Sequence, residues 1–78
     1  MIKECDMVVL THDVNINGLT EGDIGVVVHC YSDGRAYEVE FVTAEGKTIA
    51  VLTLSPDDIR VMKEREILHV REIAQQTI

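Results

Sequence analysis

The chain has 78 residues, 46% of them hydrophobic and 27% charged. That is a single domain, too apolar for disorder and so small that only about 60% of its unfolded surface can be buried. A formal charge of −7 and a pI near 4.7 disfavour a phosphate backbone as ligand and favour solubility and basic partners.

Three aromatics, Tyr31, Tyr37 and Phe41, are too few for a stacking platform for single-stranded nucleic acid. No stretch approaches the roughly 20 apolar residues of a membrane span, so neither nucleic acid nor membrane is expected as a partner. The segment Met1 to Asp6 lacks the basic and apolar zones of a secretory signal, which points to the cytoplasm. In that compartment Cys5 and Cys30 are expected as free thiols.

The first strand is expected around Met7-Val8-Val9-Leu10. The stretch His12 to Gly18 is rich in turn formers and reads as a long loop whose apolar Val14 and Ile16 tuck against the core. Then comes Gly18-Leu19-Thr20-Glu21-Gly22-Asp23-Ile24-Gly25-Val26-Val27-Val28. Here a glycine-bearing turn feeds a β-branched strand running from Ile24 to about Tyr31. Ser32-Asp33-Gly34-Arg35 is a hairpin turn. The third strand, Ala36 to Val42, alternates cleanly, with Tyr37, Val39 and Phe41 on one face and Glu38 and Glu40 on the other. A second turn at Thr43 to Lys47 leads to a fourth strand, Thr48 to Leu54.

Ser55-Pro56-Asp57-Asp58 reads as a single helical turn, with Ser55 as cap and Pro56 at the first helical position. A short closing strand, Ile59 to Met62, follows. Five short strands with one such turn before the last predict a mainly β chain, a small SH3-like five-stranded barrel over residues 1–62. The tail, residues 63–78, repeats Ile67, Val70, Ala74 and Ile78 at three- and four-residue steps beside Ile73, and so predicts an amphipathic C-terminal helix. A strand over Glu66 to Val70 is the competing reading. Such a helix would either cover an open end of its own barrel or join a second copy or a partner groove.

The chain carries no residue set that amounts to an active site, and no catalytic, cofactor-binding or metal-ligating residues are assigned. Cys5, His12, Cys30 and His69 lack the paired spacing of a zinc site, and His29 and Cys30 point to opposite faces of their strand. Glu38 and Glu40 would need a cleft to act as acid and base. Asp57 and Asp58 suit a helix start, and the glycine turn lacks the spacing of a phosphate loop.

A combined pattern runs through Met1-Ile2-Lys3-Glu4, Val8-Val9-Leu10-Thr11, Gly18-Leu19, Gly22-Asp23-Ile24-Gly25-Val26-Val27 and Ala36-Tyr37-Glu38-Val39-Glu40-Phe41-Val42, through Val51-Leu52-Thr53-Leu54 and Asp57-Asp58-Ile59-Arg60, and extends into Glu66 to Val70. In that pattern the chain resembles the small bacterial family of unknown function DUF4926. The resemblance brings no catalytic residues. It implies a gene often paired with that of another small uncharacterised protein, in couples that look like toxin and antitoxin. The expected function is therefore a non-enzymatic protein-binding module, and the resemblance implies the neutralising member of such a pair, with a basic partner encoded nearby. Its contacts are expected at Glu38 and Glu40, at Asp13 in the first loop, and along Ile67, Val70, Ile73 and Ala74 of the tail, which could also join two copies. The glycine turn is also similar to that of KOW modules, so the alternative is an RNA- or ribosome-associated module, which the acidic charge opposes.

Overall fold

Five runs of β-branched and aromatic residues become strands in the computed structural model, which describes residues 1–73. They are β1 (Met7–Leu10), β2 (Ile24–Cys30), β3 (Tyr37–Val42), β4 (Thr48–Leu54) and β5 (Ile59–Val61). They form one antiparallel sheet in the order β4-β3-β2-β1-β5. A tight turn joins β2 to β3, closed by the Gly34 amide on the Tyr31 carbonyl at 3.0 Å, and another joins β3 to β4, closed by the Gly46 amide on Thr43 at 2.9 Å.

One face of the sheet carries the core. Val8 and Leu10 of β1, Val27 of β2, Tyr37, Val39 and Phe41 of β3, Leu54 of β4 and Ile59 of β5 are buried together, with Leu19 added from the first loop. The alternation of β3 is therefore realised as read, with its three apolar side chains inward and Glu38 and Glu40 on the opposite face. A bulge between Val27 and His29 resets the phase of β2. Val28 and His29 both end up exposed, and Cys30 packs partly against the core. Gly25 is buried where the sheet allows no side chain: a Cβ there would lie 2.6 Å from Val39 Cγ1 and 2.9 Å from Phe41 Cε1.

Four expectations need correction. The closed barrel is not formed. β4 and β5 end the sheet on its two edges with no ladder between them, because the three residues of β5 pair with β1 alone. Ser55 to Asp58 is a hydrogen-bonded turn and not a helical one. Its one internal backbone bond, Asp58 amide to Ser55 carbonyl at 3.0 Å, is followed at once by Ile59, which is committed to pairing with Leu10. Of the two apolar residues in the first loop, Val14 packs against the core through a bridge to Leu19, whereas Ile16 is 61% exposed.

The fourth correction is the tail. Residues 63–73 contain no helix; Ala74 and the rest of the expected stripe lie outside the described residues. The tail is held by side chains at two places instead. Glu66 accepts both guanidinium nitrogens of Arg60, at 2.8 and 2.5 Å, and the Lys63 amide at 2.7 Å. Arg71 reaches back to the Asp23 carboxylate and to the Gly18 carbonyl, and Ile73 packs beside Gly18 against the core. The β-branched Ile67, Val70 and Ile73 are weak helix formers, and extended chain covers about twice the distance per residue that a helix does.

A candidate partner-binding face

The outer face of the sheet follows from β-strand periodicity. Since Val39 and Phe41 face the core, Glu38 and Glu40 face away from it. The register sets Glu38 between His29 of β2 and Thr53 of β4, and Glu40 between Val26 of β2 and Val51 of β4. Both carboxylates lean across β4: Glu38 accepts the Thr53 hydroxyl, and Glu40 accepts that of Thr48 at 2.7 Å. Among the described residues neither pairs with a cation. A carboxylate has room for about four hydrogen bonds, so each keeps acceptor capacity. Exposed Val28, Val42 and Val51 flank the pair. The face thus sets two carboxylates with spare acceptor capacity among valines, two threonines and His29.

Asp13 belongs to a different neighbourhood. Its Oδ1 accepts the Glu21 amide at 2.9 Å, which braces the first loop against the glycine turn. Beside it His12 clasps the loop to the turn before β5, with Nδ1 2.9 Å from the Asp13 carbonyl and Nε2 2.7 Å from Asp58 Oδ1. Both nitrogens face acceptors, an arrangement that only the imidazolium satisfies fully. The hydrogen bond to Asp58 raises the His12 pKa above its ordinary value and in return holds Asp58 below the usual carboxylate range, helped by the Ser55 amide. These groups are structural clasps.

The tail residues named from the sequence divide. Ile73 is partly buried against the core, while Ile67 and Val70 are 91% and 90% exposed. Between the tail and the sheet lies an open groove of about 420 Å³, lined by Leu19, Ile24, Phe41, Ile49, Val70 and Ile73 among others. Of its charged residues, Asp23 and Arg71 bind each other, and Glu72 is exposed at its rim. Burial works to raise the Asp23 pKa, but the Arg71 guanidinium and the Thr20 amide outweigh it and hold the carboxyl below its ordinary value. Arg60 likewise brings Glu66 down to about 2.

Among the described residues no three His, Cys, Asp or Glu side chains gather as a metal site. Cys5 and Cys30 are thiols. Partial burial, and then the Glu4 and Asp6 charges, push the Cys30 thiol up, away from the reactive thiolate. The structure therefore brings Glu38 and Glu40 together and leaves Asp13, Ile67, Val70 and Ile73 apart from them. The two threonines that steer the carboxylates, and the Asp23–Arg71 clasp, were not read from the sequence. The turn at Thr43 to Lys47 signals that β4 pairs with β3, but the register shift between Phe41 and Val42 hides which threonine meets which carboxylate; the clasp joins residues 48 apart in the chain and left no local signal.

An acidic antiparallel sheet with an open carboxylate face defines the class of protein at hand. The chain belongs to the family described as a domain of unknown function, DUF4926, whose model matches residues 4–61. The match spans all five strands and stops before the tail. No curated protein and no solved structure matches the chain.

Proposed function

We propose that this protein is a non-enzymatic, cytoplasmic protein-binding module that engages a basic partner through the Glu38 and Glu40 face. The observation that carries the reading is the pair of carboxylates, without a cation among the described residues, set among exposed valines in a chain of charge −7. Complementary potentials of this kind speed encounter and fix register. The strand order β4-β3-β2-β1-β5 supports reading the sheet as an SH3-like fold in open form. The resemblance to a family of paired genes supports the neutralising member of a toxin–antitoxin-like couple, with the neighbouring gene's product as partner.

Co-expression with that product and affinity capture of the full chain tests the reading. Capture should hold at low salt and weaken as salt rises, because screening attenuates exposed charge contacts. The double variant Glu38→Gln/Glu40→Gln should lose it while remaining folded. Failure to co-purify at low salt refutes the reading.

A further inference from the structure

The two edges of the sheet are unequal. β5 is three residues long and contains Arg60. β4 is seven residues long, Thr-Ile-Ala-Val-Leu-Thr-Leu, with no proline, glycine or charged residue. Among the described residues it pairs only with β3, and no backbone group of 48–54 bonds outside that ladder. Natural sheets normally blunt such an edge with charge, proline or a covering element, because its free amides and carbonyls are a template for another strand. Over this edge lean the carboxylates of Glu38 and Glu40, drawn across β4 by the hydroxyls of Thr53 and Thr48.

We propose that the β4 edge receives an extended basic strand from the protein partner, a sixth strand bearing Lys or Arg at alternate positions. The inference rests on the reading of the Glu38 and Glu40 face given above and adds how the partner docks. An added strand would lie about 10 Å from β3, two strand spacings away. Long cationic side chains on its outer face span that gap to carboxylates already leaning outward. Its intervening residues face the inner side, where Ala50 and Leu52 are only partly buried, so small apolar residues fit there. Backbone bonds supply affinity and the alternate side chains supply selection, the ordinary logic of strand addition. A second copy fits less well, because two chains each of charge −7 would meet with like-charged faces on either side of the junction.

The test uses the full chain and two synthetic peptides. One is acetyl-Lys-Val-Lys-Val-Lys-Val-amide; the other has the same sequence, N-methylated at alternate residues on its hydrogen-bonding edge. Charge and side chains are the same, but the second cannot extend a ladder. The plain peptide should bind at least about tenfold tighter, as expected for the loss of several backbone hydrogen bonds. It should also slow hydrogen exchange at the outward amides of Thr48 to Leu54. Equal binding of both peptides without β4 protection overturns strand addition and leaves the acidic face standing. No binding of either at low salt overturns both. β4 amides already protected in the free protein, and losing protection on dilution, would mean a second copy on that edge and would overturn the basic-strand assignment.

Discussion

Replacing Gly25 with alanine is the sharpest probe of how the sheet is packed. The residue lies in β2 opposite Val8, and a Cβ built there would meet Val39 Cγ1 at 2.6 Å, Phe41 Cε1 at 2.9 Å and the Glu40 carbonyl oxygen at 3.1 Å. None of these yields easily. Val39 is β-branched and stiff at χ1, Phe41 is fully buried, and the carbonyl belongs to the neighbouring strand. Overpacking of a core costs about 1–3 kcal/mol, and three unyielding contacts place this site near the upper end. Alanine also stiffens the unfolded chain, which offsets about 0.4–1 kcal/mol. The net expectation is a loss of about 2 kcal/mol, a fall in melting temperature of about 8–16 °C for a chain of this size. Thermal and urea unfolding followed by circular dichroism measure it. Adding Val39→Ala should recover part of the loss, so that the double variant is less destabilised than the sum of the two singles by at least about 0.5 kcal/mol. A Gly25→Ala protein as stable as the parent, or more so, refutes the packing argument.

Two further outcomes follow from the clasps. His12 has a folded pKa raised above the ordinary 6.5, so its stabilisation is fully present below 6.5 and fades as pH rises through the folded value. Asp58 is depressed below 3.8, so its share is present above 3.8 and fades as pH falls through the folded value. His12→Gln should therefore flatten the loss of stability expected on the alkaline side of 6.5, measured by urea midpoint against pH; an unchanged slope would show that the clasp does not form in solution. Arg71→Gln should release the tail: the Asp23 carboxyl should titrate higher, the Ile73 methyl resonances should move, and stability should fall by about 1 kcal/mol or less, as for an exposed ion pair. Unmoved Ile73 resonances would mean that the apolar contact alone holds the tail.

Much of the face at Glu38 and Glu40 was legible in advance, because a period of two in a six-residue strand leaves little freedom in which side chains face out. Its direction was not legible. That the carboxylates lean over β4 depends on Thr48 and Thr53, whose positions across the ladder include a register shift between Phe41 and Val42. The tail misled for a physical reason. Ile67, Val70 and Ile73 recur at helical spacing, but the same residues are β-branched, and long-range anchoring to Asp23 and Gly18 outweighs local periodicity.

By itself the sequence determined the strands, since local alternation, β-branched runs and Asp-Gly or Glu-Gly turns act over a few residues. It determined the family too, because the combined pattern of Gly22 to Val27 with the later strands is specific. Only the tertiary structure decided whether the sheet closes, where residues 63–73 lie and which edge has no further strand among the described residues. Those outcomes depend on contacts between residues tens of positions apart, Arg71 with Asp23 and Ile59 with Leu10, and distant partners of that kind leave no periodic trace in the chain.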